Sequence, residues 1–265
     1  MTFIQILALS LIQGLTEFLP VSSSAHLILG SKLFSWPDQG LVFDVATHLG
    51  TLFAVLFYFR ATIVDLCVSW LRPAVTTAQL EHRAMAKYLV LASIPAILVG
   101  AIAHSWVETY LRDVRVIAIA TLVFGALLWI ADAFFSKDRA LENMKLKPAL
   151  LIGLAQVLAL IPGASRSGVT MTMGRMLGFS ADAAARFSFL LAIPILGAAG
   201  AYGLLRMMTN DTGLDWTQFT LAVFLSAIAG WVCIAAFLAL LKRYGLMPFV
   251  IYRLVLGVVL LAISF

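Results

Sequence analysis

The sequence has few charged residues and few cysteines. Asp, Glu, Lys and Arg make up 12% of its 265 residues, whereas 62% are hydrophobic and the mean hydropathy is +1.02. A soluble domain carries about twice that share of charge, so most of this chain cannot lie in water. The two cysteines, Cys67 and Cys233, lie far apart in sequence, which leaves a disulfide framework or a zinc site without support.

The sequence also has no concentrated basic face, although its net charge is +5. Lysine and arginine stand at the ends of apolar segments instead of forming one patch, so we expect no nucleic-acid partner. A helix needs about 20 apolar residues to cross a bilayer. Six segments meet this length: 41–59, 85–105, 114–134, 185–205, 217–241 and 248–265. The sequence therefore predicts an all-α polytopic membrane protein with six transmembrane helices.

Positive charge in short connections indicates the cytoplasmic side of a membrane protein. The connections 60–87 and 135–148, and the residues after the fifth span, are rich in lysine and arginine. In 106–115 and 206–216 acidic residues offset the arginines, which is typical of the outer side. We therefore expect the C-terminus to lie outside.

Two further apolar segments, 3–34 and 149–178, are interrupted by proline, glycine, serine and charge. With six spans placed as above, the segment 3–34 must enter and leave the bilayer from the outer side. The segment 149–178 must enter and leave it from the cytoplasmic side. Both are thus predicted to be re-entrant broken helical hairpins. A broken backbone inside a membrane needs a surrounding protein or a water-filled cavity, so a buried cavity is expected at both breaks.

The two hairpins resemble each other. QGLTEFLPVSSSAH at 13–26 is similar to AQVLALIPGASRSG at 155–168, which places Pro20 opposite Pro162 and Ser23 opposite Ser165. Segments of opposite orientation with the same pattern indicate an inverted-topology repeat, whose two breaks meet near the midplane. The predicted organisation is one integral membrane domain, 1–265, with a first repeat 1–134, a cytoplasmic linker 135–148 and a second repeat 149–265.

The two breaks together predict an anion site. Proline ends one half-helix in each hairpin, and Ser22 or Ser165 can cap the amides that begin the next. Such helix N-termini attract anions. Arg166 adds a planar guanidinium that matches phosphate oxygens.

The first hairpin carries groups able to do chemistry. Gln13 and Glu17 share a helical face, and Glu17 is suited to hold a divalent cation or to act as acid or base. His26 follows Ser22 and Ser23 at helical spacing, which fits an activated hydroxyl nucleophile or a simple cap. A structural ion pair between Glu17 and Arg166 is the alternative. Ionisable groups at bilayer depth usually mark function. His48, which has no motif around it, we assign to a structural hydrogen bond between helices.

QGLTEFLPVSSSAH and PGASRSGVT resemble the two signature motifs of the undecaprenyl-diphosphate phosphatase family, also known as bacitracin-resistance proteins. The similarity runs along the chain and includes FSFLLAIP at 187–194 and an IYR near the C-terminus. It implies hydrolysis of undecaprenyl diphosphate to undecaprenyl phosphate and inorganic phosphate, which recycles the carrier lipid for peptidoglycan synthesis and gives bacitracin resistance. It also implies a divalent cation, Mg²⁺ or Ca²⁺, and a bacterial plasma membrane location.

The resemblance assigns roles to particular residues. Glu17, Ser23, His26 and Arg166 are expected to be catalytic, and Glu17 and Gln13 to bind the cation. Glutamate often stands at the first acidic position in the family, where this chain has Gln13, so Glu17 alone supplies the charge. The expected substrate-binding residues are Ser22, Ser24, Gly163, Ser165, Ser167 and Thr170.

Two mechanisms follow from this assignment. In one, Ser23 activated by His26 attacks the terminal phosphorus. In the other, Glu17 or His26 activates water while Arg166 and the cation neutralise the developing charge.

Two other functions are compatible with the same pattern. Inverted repeats with broken helices are typical of transporters, so a transporter or flippase of the same lipid is the alternative. A structural membrane component predicts that loss of Glu17 or Arg166 removes folding and function together. The expected partners are the polyprenyl diphosphate and the bilayer; a homo-oligomer is compatible with the sequence but not indicated by it. The charge argument makes the active site accessible from the outer, periplasmic side.

Overall fold

All regular elements of the described residues are helices in the computed structural model of this protein. The structure describes residues 1–34, 36, 40–72, 75–111, 113–209 and 215–264, with the side chains of 31–33, 104, 105 and 108 outside the description. The helices are α1 (Phe3–Glu17), α2 (Ser23–Leu33), α3 (Gly40–Tyr58), α4 (Arg60–Leu71), α5 (Thr77–Tyr110), α6 (Val114–Phe134), α7 (Leu146–Gln156), α8 (Arg166–Met176), α9 (Ala181–Thr209), α10 (Trp216–Tyr244) and α11 (Met247–Ala262). Two short 3-10 helices, Leu141–Asn143 and Val157–Leu160, flank α7.

Five helical segments within the described residues are long and apolar enough to cross a membrane. They are Gly40–Tyr58, Thr77–Ala103, Val114–Phe134, Ala181–Thr209 and Trp216–Tyr244. The predicted all-α membrane fold is thus confirmed, and these segments match five of the six expected spans. The sixth, 248–265, forms α11, whose 16 residues rise about 24 Å at 1.5 Å per residue. That is shorter than the hydrocarbon core of about 30 Å.

The outer surface of the helices carries many large apolar side chains. Ile102 and Met208 each expose 84% of their surface, and Phe224 exposes 62%. Water would penalise such an array, whereas hydrocarbon accepts it. Some of the charges expected to mark the outer connections, namely Arg112, Asp211 and the side chain of Glu108, lie outside the described residues, and the orientation stays a prediction.

Both predicted helix breaks are present. α1 ends at Glu17, Pro20 lies in the turn, and α2 begins at Ser23. In the second half the chain passes from α7 through a 3-10 helix and Pro162 to the start of α8 at Arg166. Proline lacks the backbone N–H that would continue the helix and clashes with the preceding turn, so each break follows from local sequence.

Close helix crossings hold the half-helices against the long spans. α1 packs on α10, where a Cβ at Gly14 would lie 2.5 Å from the Cβ of Ala229. α7 packs on α5, where a Cβ at Gly153 would lie 2.1 Å from the carbonyl oxygen of Ala92. Small residues permit such close packing inside a membrane. Each first half-helix therefore rests on a long helix of the other half of the chain.

The far end of α8 is fixed by a buried arginine. Arg175 is fully buried, and its Nε donates to Asp132 Oδ1 at 2.9 Å while its Nη1 donates to the Phe179 carbonyl. The backbone of Arg139, in the linker, forms hydrogen bonds of 3.0 and 2.8 Å with Gly178 and Ser180. α8 is thus anchored at the end opposite to the break, which fixes the position of its N-terminus.

Candidate active site

The two helix breaks contact each other directly. Arg166, at the start of α8, places its Nη2 3.2 Å from Oε1 of Glu17, at the end of α1. The hydroxyl of Ser167 donates to the carbonyl of Leu19 at 2.7 Å. Residues almost 150 positions apart are therefore joined, and the meeting of the two breaks expected from the repeat is observed.

A buried arginine from the last helix links the same two turns. Arg253 of α11 is fully buried and donates to the carbonyls of Pro20 at 3.2 Å, Gly163 at 2.9 Å and Ala164 at 3.0 Å. Its Nε donates to the carbonyl of Thr121 in α6 at 3.3 Å. In the sequence this residue is recognisable only as part of the IYR near the C-terminus, without a role. A lone charge within an apolar segment is a signal that could have identified it.

The Glu17 carboxylate is the centre of a polar cluster. It exposes 9% of its surface and holds three donors: Arg166 on Oε1, and Gln13 Nε2 at 3.0 Å and Ser23 Oγ at 3.1 Å on Oε2. Arg166 also donates from Nη1 to the carbonyl of Ser188 at 2.9 Å, which holds its guanidinium in place. Four of the predicted site residues, Gln13, Glu17, Ser23 and Arg166, are thus brought together.

The serine turns match each other with a register that differs from the sequence alignment. Ser22 and Ser165 have φ values of 72° and 69°, a region that non-glycine residues rarely adopt. Each hydroxyl lies 3.1 Å from that of the serine two positions further on, Ser24 and Ser167 respectively. The alignment of Ser23 with Ser165 is therefore wrong by one residue. Its error arose because the second turn has one more residue between its proline and its first serine.

A cavity of about 270 Å³ opens at the meeting point, and we call it the first cavity. Its polar wall consists of Glu17, Ser22, Ser23, Ser24, His48, Gln156, Ser165 and Arg166. Its apolar wall consists of Ala96, Ala159, Leu160, Ile195, Leu196 and Ala199. A cavity with one charged and one hydrocarbon wall suits the junction between a charged group and an apolar chain.

Three of the residues expected to bind substrate have other contacts in the structure. A Cβ at Gly163, whose φ is 94°, would lie 2.4 Å from the Ile117 carbonyl oxygen, so this glycine makes room for the backbone of α6. Ser167 holds the other turn. Thr170 hydrogen-bonds Ser188 Oγ at 2.7 Å and so joins α8 to α9. Ser22, Ser24 and Ser165 do line the first cavity, and Ser165 also caps α8 by accepting from the Gly168 amide at 3.2 Å.

His26 faces a different cavity. Its Nδ1 lies 2.7 Å from the carbonyl oxygen of Ser22, and its Nε2 lies 2.6 Å from the hydroxyl of Tyr252. Because a carbonyl only accepts, Nδ1 carries the hydrogen in the neutral ring and Nε2 accepts from Tyr252. The expected contact of the ring with a serine hydroxyl is replaced by these two bonds. His26 lines a second, largely apolar cavity of about 590 Å³ together with Tyr244 and Phe249.

His48 lies in the first cavity, where the sequence analysis did not place it. Its Nδ1 lies 2.7 Å from the carbonyl oxygen of Asp44 in the same helix, and its Nε2 lies 3.5 Å from Nε2 of Gln13. The hydrogen on Nδ1 leaves Nε2 as an acceptor that faces the cluster. The hydrogen bond between helices assigned to His48 corresponds to the 3.5 Å contact with Gln13 of α1, whereas the bond to Asp44 lies within α3 and orients a ring that borders the site.

The oxygen atoms near Glu17 fit a small divalent cation. The Oε1 of Gln13 is buried and has no hydrogen-bond partner among the described residues, and it belongs to the residue beside the carboxylate. No group of three or more His, Cys, Asp or Glu residues that could hold a metal ion occurs within the described residues. Mg²⁺ is usually held by one or two carboxylates together with substrate phosphates and water. The donor set therefore fits a cation that binds with a phosphorylated substrate.

Most of the chain is similar to proteins of a known family. Residues 6–259 match the family model described as bacitracin resistance protein BacA. Undecaprenyl-diphosphatase 1 of Pseudoalteromonas translucida is 48% identical over 258 residues, which cover 97% of each chain. Undecaprenyl-diphosphatase of Saccharophagus degradans is 50% identical over 255 residues, 96% of each chain, and that of Alcanivorax borkumensis is 49% identical over 262 residues, 98% of each chain. The similarity thus extends along nearly the whole chain.

Proposed function

The chain belongs to the bacitracin resistance protein BacA family, and on that premise we propose that it hydrolyses undecaprenyl diphosphate to undecaprenyl phosphate and inorganic phosphate. The relatives at about half identity carry the name of this activity. One observation of the structure carries the proposal: the carboxylate of Glu17, the hydroxyl of Ser23 and the guanidinium of Arg166 converge in one buried cavity. The protein is a multi-pass membrane enzyme that recycles the carrier lipid for cell-wall synthesis and confers bacitracin resistance.

The first cavity fits the chemistry of this substrate. Arg166 and the capped N-terminus of α8 supply positive potential for the diphosphate. The apolar wall, formed by small and aliphatic side chains such as Ala96, Leu160 and Leu196, can accept the first isoprene units. An amphiphile that crosses from one wall to the other would place its phosphates beside Glu17.

Ser23 is the proposed nucleophile. Its hydroxyl donates to Oε2 of Glu17, so Glu17, and not His26, accepts its proton. The Ser23 oxygen bonds to the terminal phosphorus, the bond from phosphorus to the bridging oxygen breaks, and undecaprenyl phosphate leaves. Water then cleaves the phosphoserine and releases inorganic phosphate. Arg166 stabilises the negative charge on the phosphoryl oxygens in both steps.

A divalent cation, Mg²⁺ or Ca²⁺, would be held by Glu17 and by the Oε1 of Gln13, which has no hydrogen-bond partner among the residues that the structure describes. When bound, it would neutralise phosphate charge and help to orient the diphosphate. Because Gln13 brings no charge of its own, Glu17 would supply the only protein carboxylate in this pair.

Phosphate release by the purified protein tests the proposal. In detergent, the wild type is expected to release inorganic phosphate from undecaprenyl diphosphate in the presence of magnesium and to lose most of this activity with a chelator. Arg166→Ala should lower kcat/KM by at least about 100-fold, because it removes a charge-assisted clamp on the phosphoryl group. Arg243→Ala, which removes an exposed arginine at the end of α10, is the matched control.

The outcome also distinguishes the phosphatase from the transporter. A folded wild type that releases no phosphate with either cation would contradict the phosphatase and favour movement of the intact lipid. The inverted repeat is the feature that favours a transporter.

The number of membrane spans and the course of the two hairpins are part of the same proposal. We propose six spans, with α11 as the sixth, and two re-entrant hairpins, α1–α2 and α7–α8, that enter from opposite faces. The mirrored packing of α1 on α10 and α7 on α5 supports it, as does the crossing of α6 with α11 at Gly125 and Gly257. In this arrangement the first cavity is reached from the outer face.

Cysteine labelling tests the orientation. In a Cys67→Ser background, which removes the exposed native thiol, Phe34→Cys at the end of α2 should react with a membrane-impermeant reagent on intact cells. Lys137→Cys, exposed in the linker, should react only after permeabilisation. The opposite pattern would overturn the proposed topology, and reaction at both sites would contradict a linker on the cytoplasmic side.

A further inference from the structure

Gln156 is a buried amide that the mechanism proposed above does not use. It ends α7, lines the first cavity with Glu17 and Arg166, and exposes 2% of its surface. Neither its Oε1 nor its Nε2 has a hydrogen-bond partner within the part of the chain that the structure describes. A buried polar group without a partner lowers stability. Packing alone would therefore favour an apolar residue at this position.

The matching turns show why this amide has no partner in the described part of its own hairpin. Counted back from the two serines at positive φ, Gln13 and Gln156 hold the same position, nine residues earlier. Gln13 donates to Glu17, four residues further on, at 3.0 Å. The residue four positions after Gln156 is Leu160, which offers no acceptor. The second hairpin thus keeps the amide but lacks the carboxylate that satisfies it in the first.

We propose that Gln156 binds the terminal phosphate of the lipid diphosphate directly, its Nε2 donating to a phosphoryl oxygen and its Oε1 accepting from water at the same phosphate. This assignment rests on the proposed function of the first cavity. An amide adds a donor to the wall shared with Arg166 without adding charge, and it offers an acceptor that arginine lacks. The phosphate would satisfy the amide, so the group that destabilises the free protein contributes to substrate affinity.

Gln156→Met tests the assignment, because methionine keeps the unbranched shape and removes both polar atoms. We expect kcat/KM to fall by about 10- to 100-fold, the range for losing a hydrogen bond to a charged group, mostly through KM. The thermal midpoint of the free protein should stay the same or rise, since an unsatisfied amide has been removed. Gln156→Glu should lower kcat/KM further, because its carboxylate repels the phosphate.

Ser10→Ala is the matched control. Ser10 is fully buried in α1, and its hydroxyl likewise has no partner among the described residues, but it does not line the first cavity. Its replacement should leave kcat/KM unchanged and the thermal midpoint the same or higher. Wild-type kcat/KM in Gln156→Met would overturn the assignment, and so would a lowered midpoint, which would make the amide structural. Failure of the proposed function is seen separately, as a wild type that releases no phosphate.

Discussion

Glu17→Gln is expected to lower kcat for phosphate release by about 10²- to 10⁴-fold, the range of a positioned proton acceptor, while the protein stays folded. The carboxylate accepts a hydrogen bond from Ser23 and pairs with Arg166, and in the proposed mechanism it takes the Ser23 proton and supplies charge for a cation. An amide keeps the shape of the side chain but has no charge and cannot act as the base. Turnover of purified protein in detergent, with a thermal melt of each sample, measures the effect. Glu142→Gln, an exposed acidic residue of the linker, should behave as wild type.

The competing interpretation of Glu17 is a structural ion pair with Arg166. In that case Glu17→Gln would lower the thermal midpoint and the activity together, because it would leave the Arg166 guanidinium buried and unpaired. A folded, fully stable variant with no turnover would exclude the structural interpretation. Wild-type turnover in a folded variant would remove Glu17 from the mechanism altogether.

Arg253→Met is expected to destabilise the protein by about 3 kcal/mol or more, because it leaves buried carbonyls of both turns without a donor. The guanidinium contacts Pro20 in the first turn, and Gly163 and Ala164 in the second. For a chain of this size the thermal midpoint should fall by roughly 5 to 10 °C. Activity should fall as well, since the turns that carry Glu17 and Arg166 lose the hydrogen bonds of Arg253 and are held together only by the Glu17–Arg166 pair and the bond from Ser167 to Leu19 among the contacts described above.

Arg253 fits closely against the start of α8, so the predicted effect is specific to this arginine. A Cβ at Gly168, in the first turn of α8, would lie 2.5 Å from the Nη1 of Arg253, so the guanidinium fills a space that the glycine leaves. Arg243→Met, at an exposed site on α10, serves as the control and should leave the midpoint unchanged. An unchanged midpoint for Arg253→Met would show that the carbonyls find other donors and that the turns hold together without the arginine.

The sequence alignment of the two breaks matched their prolines correctly in order but was wrong in the register of the serines. Matching prolines are a strong signal in a sequence, but the helices restart directly after the residue with positive φ, which is Ser22 in one turn and Ser165 in the other. The number of residues between a proline and the next helix start depends on how the turn packs against its neighbours. Local sequence therefore predicts that a break occurs but not its internal register.

The positions of His26 and His48 show a second limit of prediction from sequence. His26 stands in a polar motif and His48 in an apolar span, so sequence context favoured His26 as the cavity residue. The structure turns His26 toward Tyr252 of α11, whereas His48 borders the first cavity beside Gln13. Which way a side chain on a helix faces depends on the helix that packs against it, and that neighbour comes from a distant part of the chain.

The sequence by itself determined that this is an all-α membrane protein, where its helices break and that Glu17, Ser23 and Arg166 belong to one site. Hydropathy, proline and the cost of charge at bilayer depth act locally, so they can be recognised in a linear pattern. Only the tertiary structure decided that Arg253 joins the two turns, that Gln156 lines the first cavity without a hydrogen-bond partner among the described residues, and that His26 lines a different cavity. These features depend on contacts between helices that are far apart in sequence, and no local pattern specifies which faces of those helices meet.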